Sequence, residues 1–418
     1  MTRRRTPSGA APRVGVFGLL GVGNLGNEAS LQVLLELVHE RYPDAELSAF
    51  CAGPERVARQ YGIATTSLHW NSREYRTASG PAAILAKVGG KAVDVVRTLR
   101  WVRRQDVVLV PGMGVLEASL PLRPWGFPYS LLLLGAAGRV TRTPVALVSV
   151  GADVIAQRAT RWVVTAAARL ACFRSYRDEL SRNAMRTMGV DVSADTVGPD
   201  LAFGLPVPPV AADGKTVAVG LMDYHGSNDD RDRADELHRQ YVESMKRLVR
   251  WLVETGRPVR LFIGDEVDDT IVQQVLADVR TTWPGLDPSR VQAEPAPTMN
   301  DLIDQLATVQ TVIATRYHNV LCALRLSIPT VSIGYSGKHD VLMEGMGLGD
   351  FRQSAAGVDV DRLIEQFTAL ESRRDELVEM LQERNDENVR RVHEQFAALA
   401  NDVFDFPAPD KRRNTTIV

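Results

Sequence analysis

The feature that most constrains this chain is an alternation, from Val14 to beyond Pro329, of short apolar runs with stretches of helical periodicity. A strand covered on both faces reads as a continuous apolar run, and returning to a parallel neighbour takes a helical crossover. The pattern therefore predicts α/β architecture with parallel, doubly wound sheets. Strands are expected at Val14–Leu20, Glu46–Cys51, Asp106–Val110 and Val145–Val150, and a helix over Glu28–Arg41 with Leu31, Leu34, Leu35 and Val38 on its apolar face. Pro206, Pro208 and Pro209 break the pattern between Pro199 and Gly214 and mark a linker. A second series follows: strands at Thr216–Leu221, Val259–Ile263, Thr311–Ala314 and Pro329–Ile333, and helices at Ala234–Glu254, Val267–Val279 and Tyr317–Leu326. Val358 to Phe404 is helical throughout and is expected to pack across both domains. A chain of 418 residues fits two domains of about 200 residues each.

These signals predict residues 1–13 as a disordered tail, 14–205 as an N-terminal Rossmann-like domain and 206–355 as a C-terminal one. Residues 356–404 follow as C-terminal helices and 405–418 as a tail. In such sheets ligands bind beyond the carboxyl ends of the strands, so two facing domains are expected to share one cleft.

The balance of residues narrows the function classes. A net charge of −2 without a concentrated basic face argues against nucleic acid. Cys51, Cys172 and Cys322 lie far apart, which excludes a zinc knuckle and speaks against a disulfide framework. The arginine-rich start has no apolar core behind it and is not a signal peptide. The most apolar stretch, Tyr129 to Val150, is interrupted by Arg139, Arg142 and Pro144, so it reads as a buried helix and strand rather than a membrane span. A cytoplasmic enzyme is expected, with attachment to the inner face of a membrane through a partner still compatible.

Gly21, Gly23 and Gly26 spell G-x-G-x-x-G between the first strand and its helix. A nicotinamide reading would place a pyrophosphate at that helix start and an acid at the end of the second strand. That strand ends Phe50-Cys51-Ala52-Gly53, without one. A tight turn capped by Asn27 accounts for the glycines equally simply, while Asn24 and Glu28 suit contact with a hydroxylated acceptor. A second glycine turn, Pro111-Gly112-Met113-Gly114, follows the strand ending at Val110.

The strongest constellation lies after the strand Thr311–Ala314, in Thr315-Arg316-Tyr317-His318-Asn319. An arginine and a histidine over a helix start make an anion site with a proton carrier beside it. Arg316 offers a planar fork for carboxylate or phosphate. The neighbouring strand ends in Gly334-Tyr335-Ser336-Gly337-Lys338-His339, so Tyr335 and Lys338 are expected at the same ligand. A salt bridge for Arg316 and a helix cap for His318 are the plainer alternatives. His339 reads as a solvated helix residue. His39, His69, His225, His238 and His393 lack comparable company, although Tyr224 and His225 follow a strand. No cluster of aspartate and histidine in the sequence calls for an obligatory metal.

In order and spacing these pieces resemble the polysaccharide pyruvyl transferase family. The resemblance runs from Gly18 to about Gly349 and rests on Gly23-Asn24-Leu25-Gly26-Asn27-Glu28, Pro111–Gly114, Arg177-Asp178-Glu179-Leu180-Ser181, Gly198-Pro199-Asp200 and, above all, Arg316-Tyr317-His318 through Lys338. Two departures stand out: Asn27 replaces the family's usual aspartate, and the second glycine turn is leaner than usual. The resemblance implies two Rossmann-like domains of the glycosyltransferase B type. It also implies phosphoenolpyruvate as donor co-substrate, a sugar diol as acceptor (glycan, glycolipid or lipid-linked sugar), a cyclic pyruvate ketal as product, and no other cofactor. On that reading His318 carries the proton; Arg316, Lys338, Arg177 and Tyr335 hold the donor; Gly23, Asn24, Glu28, Gly112 and Gly114 line the acceptor side in the N-terminal domain. A nucleotide-sugar glycosyltransferase, with Glu344 meeting a ribose, a nicotinamide oxidoreductase, and a non-catalytic carbohydrate-binding relative are the competing readings.

Overall fold

The computed structural model describes residues 11–70, 81–117, 124–211, 214–226 and 228–404. Both predicted tails, apart from a few residues adjoining the fold, lie outside this range. The chain forms two compact units. One comprises the residues up to Val22, Ser30–Leu201 and those from Arg391 onward; the other comprises Gly23–Ala29 and Ala202–Arg390. The division after Leu201 falls at the start of the proline-rich segment. The first turn of the helix Leu25–Arg41 belongs to the second unit although the rest belongs to the first.

The first unit is built on a seven-stranded sheet among the described residues. Its strands are β1 (Arg13–Gly18), β2 (Glu46–Cys51), β3 (Ala64–Ser67), β4 (Val107–Val110), β5 (Val145–Val150), β6 (Phe173–Tyr176) and β7 (Thr196–Val197). They lie in the order β3-β2-β1-β4-β5-β6-β7 and pair in parallel throughout. Every residue of β4 and β5 is buried, as strands covered on both faces require. The apolar stretch before β5 is the helix Phe127–Thr141, and no helix among the described residues is long and apolar enough to cross a membrane.

The second unit repeats this topology with six strands: β8 (Val217–Gly220), β9 (Val259–Phe262), β10 (Val291–Ala293), β11 (Thr311–Ala314), β12 (Thr330–Gly334) and β13 (Arg352–Ser354). Their order, β10-β9-β8-β11-β12-β13, is again that of a doubly wound Rossmann sheet. Strand order reverses between β1 and β4 in one sheet and between β8 and β11 in the other, and ligands are expected at such points. The C-terminal helices are Val360–Ser372 and Arg374–Val403. Asn385 on the latter donates to the Leu324 carbonyl of the second unit (2.7 Å), and Gln395 joins Ser149 and Ser175 in a buried network of the first.

Candidate functional site

At the switch point of the second sheet, β11 lies parallel to β8 with Ala314 beside Gly220. Thr315 then turns the chain, and Arg316 occupies the N-cap position of the helix Tyr317–Arg325 in extended conformation (φ −67°, ψ 133°). Fully buried Thr315 is held from two sides. Its hydroxyl pairs with Tyr241 Oη (2.6 Å), whose pKa burial raises, and its carbonyl accepts from His339 Nε2 (3.0 Å). A carbonyl only accepts, so His339 carries its proton on Nε2. The solvated residue expected from the sequence is in fact 1% exposed, packed against Tyr335 and Tyr317, and works as a prop under the strand end.

The Arg316 fork closes on one carboxylate. Nε and Nη2 donate to Oδ2 and Oδ1 of Asp268 at 2.8 and 2.7 Å. Asp268 is fully buried, and its Oδ1 also accepts the backbone N–H of Asp223 (2.9 Å). Burial by itself would lower the arginine's pKa, but the bonds and charge of Asp268 outweigh it and raise the pKa, so the guanidinium stays charged. Asp268 uses two of five N–H donors. Among the described residues the Nη1 edge has no hydrogen bond, and the side chain keeps 20% of its surface in solvent. The salt bridge and the anion site are thus compatible: one edge orients the fork and the other can meet an anion.

His318 sits half-buried on the first turn of Leu25–Arg41. A Cβ on Gly26 would lie 1.9 Å from its Nδ1, so only glycine leaves room for the imidazole. That turn is tied to β9's end: Leu25 N–H donates to the Gly264 carbonyl (3.3 Å), and Asn24 pairs with Asp265 through backbone bridging and a 3.3 Å side-chain bond. The helix begins at Leu25, three residues before the expected Glu28, and its cap is Asn24, whose Oδ1 accepts from Asn27 N–H (3.2 Å). The expectation of an Asn27 cap is therefore corrected. The side chains of Asn24 and Glu28 both serve this turn, Asn24 as cap and tether and Glu28 buried in the first turn, where the helix dipole favours an acid. Gly23, at φ +88°, has the Glu266 carboxylate 3.1 Å from where its Cβ would stand.

β12 runs beside β11 and delivers Tyr335 and Lys338 to the same edge. The Lys338 ammonium lies 5.5 Å from the Tyr317 ring centroid and 5.6 Å from that of Tyr335, within cation–π range of both. Tyr317 also meets His318 edge-on at 5.1 Å. The second unit therefore brings Arg316, His318, Tyr335 and Lys338 together with Gly23, Asn24 and Glu28.

Arg177, Gly112 and Gly114 belong to the first unit. Arg177 follows β6 with its side chain 3% exposed, bonded to Glu117 and lying 3.5 Å from Asp178 and 3.6 Å from Asp200. Gly114 makes room for the Glu117 carboxylate, which a Cβ would meet at 2.6 Å, and a Cβ on Gly112 would lie 2.8 Å from the Ser149 carbonyl oxygen. The second glycine turn thus accommodates a buried ion-pair cluster.

Sequence reasoning overlooked Asp268, and it reads Gly26 only as a turn glycine. The strand-end rule, applied to β9, would have drawn attention to Gly264-Asp265-Glu266 and the acid that follows them. Nothing local marks Gly26 as the seat of a histidine 292 positions on (318 − 26).

The chain thus has two Rossmann-like units, the second with a cationic, histidine-bearing cluster at its switch point. The chain belongs to the polysaccharide pyruvyl transferase family, whose profile it matches over residues 24–337. A comparison with curated proteins finds no match. Similar solved structures include HepE of Anabaena in complex with UDP and glucose (TM-score 0.59, 12% identity, 93% of this chain and 99% of that one). A putative UDP-N-acetylglucosamine 2-epimerase from Listeria monocytogenes is also similar (TM-score 0.60, 13%, 96% and 99%). So is the lipopolysaccharide outer core galactosyltransferase WaaB in its apo form (TM-score 0.51, 13%, 94% and 99%). At these identities the likeness is one of fold.

Proposed function

We propose that this chain transfers the pyruvyl group of phosphoenolpyruvate to two hydroxyls of a sugar, giving a cyclic ketal and inorganic phosphate. Family membership supports the reaction class. The observation that carries the reading is the Arg316 fork, oriented by Asp268 with its Nη1 edge uncommitted, beside His318 and near Lys338. Phosphoenolpyruvate holds a carboxylate and a phosphate close together, which suits a planar fork with a mobile ammonium. Arg316 and Lys338 bind the donor, and Tyr335 supports Lys338. The donor role expected of Arg177 is left out of this reading, because Glu117, Asp178 and Asp200 already match its charge.

His318 delivers a proton to the donor's methylene carbon, and the ketal carbon becomes cation-like. One acceptor hydroxyl adds there, the C–O bond to phosphate breaks, and the second hydroxyl closes the ring. Of the two hydroxyl protons, one replaces that given to the methyl group and the other leaves with phosphate. Gly23, Asn24 and Glu28, on the turn that seats His318, are the candidates for the acceptor side. A lipid-linked acceptor would draw a cytoplasmic enzyme to the inner face of a membrane without any span.

The test is to incubate the full chain with phosphoenolpyruvate and a panel of pyranosides. Phosphate and a ketal methyl signal should appear in equal amounts. Nucleotide release from a nucleotide sugar, with no phosphate from phosphoenolpyruvate, would overturn the reading in favour of a glycosyltransferase. HepE's complex with UDP and glucose keeps that alternative in view. The Glu344 carboxylate that it would use for a ribose lies 3.0 Å from Arg352.

A further inference from the structure

Two histidines that the sequence leaves without company meet in the loop after β8. His225 Nε2 and His238 Nδ1 lie 3.1 and 3.2 Å from the same oxygen, Oδ1 of Asp223. This is the group of three metal-capable side chains found among the described residues, with all three ligand atoms within 4.8 Å of one another. The geometry points to a binding site for one divalent transition-metal ion of the zinc class, held by Asp223, His225 and His238 with a coordination position open.

The distances fit such an ion. Metal–nitrogen and metal–oxygen bonds of about 2.0–2.2 Å give a tetrahedron with edges of roughly 3.3–3.6 Å. The two observed nitrogen–oxygen separations are close to that edge. Two imidazoles and one carboxylate favour zinc, cobalt, nickel or iron over the all-oxygen sites of magnesium and calcium. Three protein ligands also leave the fourth position for a water or an anionic oxygen.

The loop is built to present these groups. Tyr224 N–H donates to the Met222 carbonyl (2.9 Å), a tight turn with Asp223 at its apex. Gly226 at φ +82° then returns the chain beneath Asp230 and Leu237. His238 arrives from the first turns of the helix Ala234–Glu254; without an ion its Nδ1–H donates to the Tyr224 carbonyl (3.3 Å), and an ion takes the place of that proton. The two rings stack in parallel, 4.3 Å apart with 6° between their planes. An ion in the plane of both requires one ring to turn. His225 can do so, because its side chain is 48% exposed on the loop.

The site adjoins the anion site through one group: Asp268, which orients the Arg316 fork, also accepts the N–H of Asp223. An ion here therefore stiffens the loop that helps to fix Asp268. The inference is independent of which group the enzyme transfers, and binding is read without turnover.

The experiment uses the full, tag-free chain stripped of metal by a chelator and titrated with Co(II). Calorimetry and visible absorption are followed, and then displacement by zinc. The expected result is one equivalent bound with ligand-field bands of low coordination number. That equivalent should be lost in His225→Ala, Asp223→Asn and His238→Gln, and kept in the control His393→Ala. Removing a mere outer-sphere partner costs about 10–100-fold in affinity, so losing a ligand should cost roughly a hundredfold or more. Circular dichroism checks that each variant folds, and exposed His225 guards against a folding defect at half-buried His238. Absence of binding to the unaltered chain, or an equivalent that survives in His225→Ala and Asp223→Asn, overturns the assignment.

Discussion

Arg177 and Arg316 occupy comparable places, each following a strand in one of two sheets of the same order, yet the protein uses them differently. Arg177 is 3% exposed and ringed by Glu117, Asp178 and Asp200. Arg316 faces one carboxylate, Asp268, and is 20% exposed. A buried guanidinium among three acids has its charge more than matched and holds its neighbours in place. One paired along a single edge keeps charge and donors for something else. The residue type at a strand end therefore says little until its acidic company is known.

The largest effect should come from removing Arg177. Arg177→Ala leaves three buried carboxylates without their cation, and breaking a buried pair this way costs about 3–5 kcal/mol. Thermal unfolding should register that loss whether or not any substrate is present. Arg316→Ala should destabilise less, because Asp268 keeps the Asp223 N–H as a partner. If Arg177→Ala unfolds no more readily than Arg316→Ala, the contrast between the two centres is wrong.

Next in size is the proposed proton carrier. His318→Ala should lower phosphate release by roughly 10²–10⁴-fold, the usual contribution of general acid–base catalysis, while circular dichroism stays unchanged. Full turnover in that variant would remove His318 from the chemistry.

How far the sequence anticipates this contrast depends on burial. Glu46–Cys51, Val145–Val150, Thr311–Ala314 and the helix Ala234–Glu254 appear at the residues their patterns predict. Central strands such as β5 and β11 are buried on both faces and so are written as apolar runs. The strands that escape reading are β3 (ATTS), β6 (FRSY), β7 (TV), β10 (VQA) and β13 (RQS). All but β6 include an edge or outer position, are short, and are partly exposed, which removes the apolar signature. In the site, Arg316 and His318 were legible because both abut a strong strand. Asp268 was not, since it stands 48 residues away in a short turn. The start of Leu25–Arg41 was misplaced because glycine and asparagine disfavour helix locally, and long-range bonds to Gly264 and Asp265 hold that turn. The Asp223 group joins residues 15 apart (238 − 223), across a loop and a helix.

A finer probe asks whether His318 needs its seat. Gly26→Ala places a methyl group 1.9 Å from Nδ1, so either the ring or the helix turn must move. Overpacking of this kind costs about 1–3 kcal/mol. Activity should fall with a smaller change in melting temperature than Arg177→Ala produces, and a displaced imidazole signal should be seen by NMR. Unaltered turnover would mean that the ring position is not critical.

The smallest effect expected, and the one that tests the uncommitted edge most directly, belongs to Arg316→Lys. An ammonium keeps the charge and one contact to Asp268 but cannot hold Asp268 and a donor anion in one plane. Losing one charge-assisted hydrogen bond of about 1.5 kcal/mol should raise KM for phosphoenolpyruvate by roughly tenfold. If Arg316 acts mainly in donor binding, kcat should change less than KM, because the proposed proton carrier, His318, is left intact. A loss confined to kcat would instead assign Arg316 to the transition state. No change in either constant would leave Asp268 as its whole purpose, and the two arginines would then be alike after all.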